Sequence, residues 1–498
     1  MSKRYSGILL SITSLPSEYG IGTLGKEAYS FIDFLQKADQ KYWQILPVGP
    51  ISYGDSPYQS FSTFAGNPYM VDLDMLIEQG LLDAEEVKSI DWGDDPERVD
   101  YGKMYANRFD ILKKAYLKHK SDESLLDVRS IMNFCHEKKW LDNYALFMAL
   151  KRHFGMRPWT EWPDESIRKH EPEAIEKYRK ILAEDIEFFK FIQYLFYMQW
   201  GALKNYAEEK GIRIIGDLPI YVAMDSSDVW ANPECFYLDE ENMPIEVSGV
   251  PPDAFSADGQ LWGNPLYRWD YLKETGYGWW IDRVAGALEL YDILRIDHFR
   301  GFESYWAVPY GESAVNGHWV KGPDIDFVNV LASWFAGREF IAEDLGYITP
   351  EVGALLANSG FPGMKVLQFA FDSREQSNYL PHTYHNNCIC YTGTHDNATL
   401  IGWTEDACSE DVEYAKKYLG VRDADELDVA IVRAGMSSVA DTFIAQMQDY
   451  LRTGADGRMN TPGTPQGNWR WRMKKDVLTD DLAEHIAEIT RLYGRSCR

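Results

Sequence analysis

The chain has 498 residues, enough for a large catalytic domain with insertions, and its 45% hydrophobic and 26% charged residues are ordinary for a globular protein. Its 77 acidic residues outnumber the 50 basic ones, which gives a formal net charge of −27 at pH 7. A surface this acidic repels phosphate groups, so we expect neither nucleic acid nor an anionic membrane as a partner, whereas a neutral ligand would suit it.

The N-terminus and the cysteines both favour a cytoplasmic protein. The apolar run Ile8–Ile12 is short and broken by Ser11, so we expect neither a signal peptide nor a membrane span. No zinc-site spacing occurs among the six cysteines, which we expect to be free thiols in a reducing compartment. They are Cys135, Cys235, Cys388, Cys390, Cys408 and Cys497.

The first fifty residues read as a β-α-β unit. Gly7–Ser17 predicts a strand and a loop, Leu24–Ala38 a helix, and Tyr42–Pro50 a second strand that prolines stop. Such a beginning is typical of a parallel sheet. The following loop, Asp55–Ser62, is rich in hydroxyls, amides and aromatic rings. It is either an ordered surface loop or, given its place after a strand, a wall of a sugar pocket.

Two long insertions follow. Residues 70–205 contain apolar side chains at helical spacing, for example in Asp142–Phe154 and Asp185–Glu209, and predict an inserted helical subdomain. Ile212–Val222 is the next strand, with Asp217 near its end. Residues 225–277 predict a loop-rich subdomain that covers the active site, because ordered loops of this length are usually functional.

Ile293–Phe302 predicts a strand buried on both sides. Alternation places Arg295 and Asp297 on one face and Leu294 and Ile296 on the other. A buried arginine beside an aspartate makes sense as a pair in which the guanidinium keeps the carboxylate ionised. Taken alone, this stretch is better explained by a structural ion pair than by a catalytic group.

The remaining strands have the spacing of a barrel. Glu339–Leu345, Met364–Phe369, Cys388–Thr394 and Phe443–Leu451 are predicted strands with helices between them. A (β/α)₈ barrel of about 250 residues repeats roughly every 30 residues. The strand spacing agrees with this period when insertions are allowed for. We therefore predict an α/β protein with the (β/α)₈ TIM barrel fold.

Four acids lie at the ends of predicted strands: Asp217, Asp297, Glu343 and Asp396. Each alone is more often a structural residue, but four at equivalent positions converge on one mouth. Cleavage of a glycosidic bond needs an acid that protonates the leaving oxygen and a carboxylate at the anomeric carbon. Asp297 beside Arg295 suits the nucleophile, and Glu343 suits the acid and base if its pKa is raised.

The other acids suit supporting roles. Asp396, next to His395, could bind sugar hydroxyls and stabilise the developing positive charge, while Asp217 could orient Arg295. A loop closing over the site, Gly249–Asn264 with its rings Phe255 and Trp262, would exclude water. Exclusion of water favours transfer to a sugar hydroxyl over hydrolysis.

Several motifs resemble known families. Gly216–Tyr221, Leu294–Gly301, Ala342–Gly346 and Gly393–Asp396 resemble the α-amylase clan. Other segments resemble the 4-alpha-glucanotransferases of that clan, the amylomaltases or disproportionating enzymes of glycoside hydrolase family 77. These segments are Gly54–Ser60, Gly249–Tyr267, Asn316–Trp319 with Gly322-Pro323, Arg458–Thr464 and Gly467–Arg472.

The resemblance implies one catalytic barrel over residues 1–498 with inserted, largely helical subdomains and no C-terminal β-domain. It implies a retaining transfer of α-1,4-glucan segments between maltooligosaccharides, starch or glycogen chains, with no metal or organic cofactor. Asp297 would be the nucleophile, Glu343 the acid/base and Asp396 the transition-state stabiliser. The implied substrate-binding residues are Tyr58, Asp217, Arg295 and His395 around the reacting sugar and Trp262, Asp372 and Asn468 towards the acceptor. Ser56 and Phe255 are further expected substrate-binding residues.

Two alternatives remain at this stage. One is an α-1,4-glucan hydrolase of the same clan, and the other is a glucan-binding protein without activity. The family often carries two adjacent aromatic residues where this chain has Ala254 and Phe255. One stacking ring fewer would weaken the grip on a long glucan.

Overall fold

The computed structural model of the chain describes residues 3–52, 54–252, 258–346, 348–464 and 466–497. Within these residues the strands of the barrel follow one another in the order that the sequence predicts. The strands are β1 (Tyr5–Leu9), β2 (Tyr42–Gln44), β3 (Arg213–Leu218), β4 (Glu246–Val250), β5 (Gln260–Pro265), β6 (Ile293–Ile296), β7 (Ser304–Pro309), β8 (His318–Lys321), β9 (Glu339–Ala342), β10 (Gly363–Val366), β11 (Cys388–Tyr391) and β12 (Thr442–Gln446).

Eight of the strands described above form one parallel barrel sheet. In chain order these are β1, β2, β3, β6, β9, β10, β11 and β12; each pairs with the next except at β9 and β10, and β12 returns to β1. The seam between β9 and β10 lacks a named ladder, but the Ala342 N–H donates to the Pro362 carbonyl at 3.0 Å across it. The predicted (β/α)₈ barrel is therefore confirmed.

The α-helices within the described residues surround this sheet. They are α1 (Lys26–Lys37), α2 (Leu73–Glu78), α3 (Ala84–Lys88), α4 (Tyr101–Ser121), α5 (Val128–Glu137), α6 (Leu141–His153), α7 (Glu165–Arg168), α8 (Pro172–Ile181), α9 (Ala183–Glu209), α10 (Ser227–Ala231), α11 (Trp269–Glu274), α12 (Gly278–Leu290), α13 (Asp324–Trp334), α14 (Pro350–Ser359), α15 (Leu400–Asp406), α16 (Ser409–Leu419), α17 (Leu427–Ser437), α18 (Met447–Tyr450) and α19 (Asp480–Leu492). In the described part of the chain, none is both long and apolar enough to cross a bilayer.

One predicted helix is absent. The sequence predicts a helix between β10 and β11, but residues 367–387, all of them described, contain only two short 3₁₀ turns, Leu367–Phe369 and Pro381–Thr383. The segment between them is rich in Asp, Ser and Asn, whose side chains bond the nearby backbone and favour turns. Ser377, for example, donates to the Phe369 carbonyl at 3.0 Å and accepts from the Tyr379 N–H at 3.1 Å.

The barrel strands end earlier than the sequence predicts. β6 stops at Ile296 because His298 adopts a left-handed φ of 52° and Phe299–Phe302 form a 3₁₀ turn. Asp297 is thus the first residue after the strand. Similarly, the strand predicted over Phe443–Leu451 ends at Gln446, where α18 begins.

A second sheet, which the sequence does not predict, lies beside the barrel. Its antiparallel order is β5-β4-β7-β8. β4 and β5 come from residues 225–277, whereas β7 and β8 follow the turn after Asp297. Tyr305 and Ala307 of β7 join the main hydrophobic core, so this sheet is anchored to the barrel. The anchoring fixes the β4–β5 hairpin near the barrel mouth.

Arg495 follows α19 and lies at the amino-terminal end of the barrel strands. Its side chain is fully buried, and burial lowers the pKa of its guanidinium to about 10, which leaves it charged at neutral pH. The guanidinium donates to five carbonyls, those of Tyr5 (3.0 Å), Gly435 (3.5 Å), Met436 (2.8 Å), Ser438 (3.1 Å) and Ala440 (3.0 Å). It therefore joins the start of β1 to the end of α17 and the approach to β12.

Replacing Arg495 by alanine should lower the free energy of unfolding by about 3–5 kcal/mol, because several buried carbonyls lose their donor. Urea unfolding followed by circular dichroism measures this loss. The matched control is Arg179→Ala on α8, whose exposed pair with Glu176 is worth about 1 kcal/mol at most. Equal losses in the two variants would contradict the role given to Arg495.

Candidate active site

Asp297 and Glu343 lie side by side, because each directly follows one of two adjacent strands. β6 pairs with β9 so that Ile296 lies opposite Ala342, and the next residue on each strand is one of the two acids. The Glu343 N–H donates to the Ile296 carbonyl at 3.0 Å, which continues the register beyond the strands. Adjacent strands lie about 4.8 Å apart. Both carboxyl groups therefore stand at the carboxyl end of the barrel, where barrel enzymes have their active sites.

The Arg295 guanidinium contacts two of the four acids. Its Nη1 lies 2.5 Å from Asp217 Oδ2 and 3.3 Å from Asp297 Oδ1. Asp217 is opposite Arg295 in the β3–β6 register, and Tyr58 donates its hydroxyl to Asp217 Oδ2 at 2.6 Å. The Arg295–Asp297 contact expected from their alternating positions is present. The shorter contact, however, goes to Asp217.

The pKa of Asp297 differs from the sequence expectation. Burial raises it well above its usual value, and the charges of Asp217, Glu343 and Asp396 raise it further, whereas Arg295 lowers it. We expected Arg295 to keep this carboxylate ionised. Because the guanidinium is shared with Asp217, its charge does not outweigh burial and the neighbouring acids.

Burial also raises the pKa of Glu343, and Arg295 and the His298 N–H oppose the shift. The His298 N–H reaches Glu343 Oε2 at 2.5 Å, and the Leu345 N–H reaches Oε1 at 3.3 Å. Acids this close titrate as a pair. Burial therefore favours the protonated form of both acids, whereas a nucleophile and a general acid need one carboxylate and one carboxylic acid.

Asp396 stands at the same mouth on the loop after β11. Its Oδ1 accepts from Asn460 Nδ2 at 2.6 Å and lies 3.4 Å from His395 Nε2, while Arg458 donates to its carbonyl at 2.7 Å. The side chain of Asp396 is 45% exposed, and that of His395 only 7%. Burial lowers the pKa of His395, so this imidazole is neutral beside an accessible carboxylate.

Aromatic rings line two sides of the acids. Tyr58 stacks on His395 with centroids 5.1 Å apart, and Trp469 tilts against both rings at 5.8 and 5.7 Å. On the other side, Trp262 of β5 meets the His298 ring edge to face at 4.8 Å. Such rings can pack on the apolar faces of sugars. The predicted residues Tyr58, Trp262 and His395 therefore join the cluster of acids.

Two other predicted substrate-binding residues, Ser56 and Asn468, hold the backbone of the loops next to Tyr58 and Trp469. Ser56 Oγ accepts from the Tyr58 N–H at 3.2 Å and so shapes the loop below that ring. Asn468 accepts from the Thr461 N–H at 3.0 Å, which folds the loop next to Trp469.

Two further substrate-binding predictions remain untested. Asp372 pairs with Arg374 at 2.6 Å, and this contact lowers the pKa of Asp372 to about 2. Its role at the acceptor side stays a prediction. Phe255 lies outside the described residues.

Three contributors were missed by sequence reasoning. Asn460 holds Asp396, Trp469 packs on Tyr58, and His298 supplies both a backbone donor to Glu343 and a ring against Trp262. The first two lie in the segment Arg458–Arg472. The sequence identifies this segment only as a family motif and assigns no role to Asn460 or Trp469. Within the described residues, no three His, Cys, Asp or Glu side chains are arranged to hold a metal ion.

Comparison of sequences gives a consistent set of relatives. The profile of the family described as 4-alpha-glucanotransferase matches residues 10–479. A 4-alpha-glucanotransferase of Clostridium butyricum is 51% identical over 490 residues, which cover 98% of this chain and 100% of the relative. One from Thermus thermophilus is 49% identical over 501 residues, 99% of both chains.

Comparison with solved structures finds amylomaltases. The structure of an amylomaltase from Streptococcus agalactiae in complex with acarbose superposes with a TM-score of 0.96 at 45% identity, covering 99% of this chain and 100% of that one. An amylomaltase from Corynebacterium glutamicum shares the fold with a TM-score of 0.75 at 20% identity, covering 99% of this chain and 74% of that one. The similarity thus extends over the barrel and its insertions alike.

The electrostatics of the site predict a neutral His298. Burial first, and Arg300 second, lower the pKa of His298 to about 3. Its imidazole should therefore remain neutral as the pH falls from 8 to about 4, far below the ordinary value of about 6.5. NMR of ¹⁵N-histidine-labelled protein measures this, with the resonance assigned by a His298→Asn variant. A His298 resonance that titrates near pH 6 would contradict this lowered pKa.

Proposed function

The chain belongs to the 4-alpha-glucanotransferase family, and from this premise we propose that it moves α-1,4-glucan segments from one maltodextrin to another through the acids at the barrel mouth. The observation that carries the proposal is the neighbouring pair Asp297 and Glu343, in register on β6 and β9. Retaining glycosidases hold their two carboxyl groups about 5–5.5 Å apart. Neighbouring parallel strands lie about 4.8 Å apart, a backbone spacing that is compatible with such a separation.

In the first step Asp297 is the nucleophile and Glu343 the acid. A carboxylate oxygen of Asp297 bonds to the anomeric carbon as the bond to the glycosidic oxygen breaks, and the proton of Glu343 passes to that oxygen. The raised pKa of Glu343 suits this role because the group keeps its proton until the sugar binds. The donor's reducing-end fragment leaves as an alcohol.

In the second step Glu343 becomes the base. Its carboxylate takes the proton of an acceptor 4-hydroxyl while that oxygen attacks the anomeric carbon, and the bond to Asp297 breaks. Two inversions retain the α configuration. Protons and electron pairs balance with these side chains and the sugar oxygens alone.

The neighbouring groups stabilise the charges that develop. Asp396 faces the site with an exposed carboxylate and would offset the positive charge of the oxocarbenium-like transition state. Arg295 would stabilise Asp297 when it departs as an anion, and Asp217 and Tyr58 hold the guanidinium in place. His395, being neutral, can bind a sugar hydroxyl.

The acceptor side is built on the second sheet. Trp262 on β5 would stack on an incoming sugar, with its indole held by Gln260 at 3.1 Å. We assign Phe255, Asp372 and Asn468 to the same side and Ser56 to the loop around the reacting sugar. Residues 225–277 would then form the cover that keeps water out, and residues 70–205 a helical subdomain that supports the pocket.

The net charge and the cysteines support a substrate class and a cellular location. Neutral glucans such as maltooligosaccharides or chains of starch or glycogen suit a protein with a net charge of −27. The six cysteines are free thiols, which favours a reducing compartment and hence the cytoplasm. A hydrolase or an inactive binding protein is not favoured, because the named relatives are transferases.

Maltotriose distinguishes transfer from hydrolysis. We expect free glucose and longer maltodextrins to appear while the total number of reducing ends stays constant, measured by chromatography and a reducing-end assay. Asp297→Asn should abolish the reaction. Asp292→Asn is the matched control, because Asp292 lies at the opposite end of β6 and accepts from the Ile214 N–H. A steady rise in reducing ends would identify a hydrolase instead.

A donor with fluoride as leaving group separates the two acids. Fluoride leaves without protonation, so Glu343→Gln should still release about one equivalent of fluoride from maltotriosyl fluoride while failing on maltotriose. Asp297→Asn should release none. Release by Asp297→Asn together with none by Glu343→Gln would reverse the two assignments.

A further inference from the structure

The loop that carries His395 and Asp396 runs from the end of β11 to the start of α15. Thr392 begins this loop and Leu400 is the first residue of α15. Among the described residues it has little strand or helix structure of its own. The position of the Asp396 carboxylate therefore depends on contacts from neighbouring parts of the barrel.

One buried carboxylate, that of Asp449, contacts both ends of this loop. Asp449 Oδ2 accepts from the Thr392 hydroxyl at 2.6 Å, and Asp449 Oδ1 accepts from the Leu400 N–H at 2.8 Å. Asp449 lies in α18, directly after β12. The Gln446 N–H donates to the Thr392 hydroxyl at 3.2 Å, so that hydroxyl must use its own proton towards Asp449.

Hydrogen bonds from two glutamine side chains also hold the loop at Ala398. The Ala398 carbonyl accepts from Gln368 Nε2 at 2.8 Å and from Gln446 Nε2 at 3.1 Å. The loop is thus bound at its two ends by one carboxylate and near its middle by two amides. Among these contacts only Asp449 joins the beginning of the loop to its end.

Burial makes an aspartate at this position costly for stability. Asp449 is 5% exposed, and burial raises its pKa to about 7. Asp428 raises it further, and this second acid is paired with Arg452 at 2.7 Å. An uncharged amide would be cheaper to bury but offers one acceptor oxygen instead of two. Both partners of Asp449 donate in this arrangement, so a carboxylate binds both as they stand, whereas an amide could bind both only if the Thr392 hydroxyl turned to accept from it.

We propose that Asp449 is a positioning residue, which joins the two ends of the loop 392–400 and thereby fixes Asp396 for stabilisation of the transition state. This inference rests on the proposed role of Asp396. Asp449 touches neither substrate nor reacting atoms. Its effect should fall mainly on the chemical step, where Asp396 acts, with a smaller effect on binding through His395 on the same loop.

The test compares Asp449→Asn, Asp449→Ala and Thr392→Val in the maltotriose reaction. Misplacing a stabilising group by about 1 Å can cost as much as 10²-fold in rate. We expect kcat per folded enzyme to fall about fivefold in Asp449→Asn, which keeps one acceptor, and about 50-fold in Asp449→Ala, with KM changed less than about twofold. Thr392→Val should lower kcat at least as far as Asp449→Asn, because it loses the bond to Asp449 and also the acceptor of the Gln446 N–H.

The matched control is Asp428→Asn, which alters a buried acid of the same neighbourhood that pairs with Arg452. Its kcat per folded enzyme should stay within about twofold of the wild type. The folded fraction of each variant is measured by near-ultraviolet circular dichroism, so that loss of stability is not counted as loss of rate. Thr392→Val keeps the test valid if Asp449→Ala does not fold.

The outcomes separate this inference from the proposed function. A wild type without transfer activity overturns the proposed function. An active wild type whose Asp449 and Thr392 variants keep its kcat overturns the positioning role alone, as does a rise in KM at constant kcat. Equal losses of kcat in Asp428→Asn and Asp449→Asn also overturn it.

Discussion

The active site depends on one buried positive charge placed among carboxylates. Arg295 lies inside the barrel at the level where β3, β6 and β9 end, and it contacts Asp217 and Asp297 at once. Asp217 holds the guanidinium, and Tyr58 donates its hydroxyl to the same oxygen of Asp217. Burial raises the pKa values of Asp297 and Glu343, and the Arg295 charge opposes these shifts without cancelling them. The site can then retain the single proton that a double displacement passes back and forth.

The geometry around that charge is set by the barrel and then refined by longer-range contacts. The parallel register alone places Asp297 beside Glu343. Asp396, by contrast, stands on a loop, and its position depends on Asn460 and, by our inference, on Asp449. Rigid strands thus place the two groups that exchange bonds, while hydrogen bonds from distant segments place the group that only stabilises charge.

The sequence predicts the barrel well because its strands are apolar runs that end in acids at regular spacing. It places all four acids at strand ends, since side-chain alternation and strand ends are local properties. It does not predict the second sheet, because β4 and β7 pair across more than fifty residues and are each short. Nor does it predict the pairing of Asn460 with Asp396, which are 64 residues apart.

The central claim is that Asp297 forms a covalent bond to the sugar while Glu343 transfers the proton. The most direct measurement is mass spectrometry of Glu343→Gln after reaction with maltotriosyl fluoride, followed by peptide mapping. The mechanism predicts one maltotriosyl ester per chain, located on the peptide that contains Asp297. An ester on another acid, or turnover of the fluoride with no covalent species at any time, would contradict it.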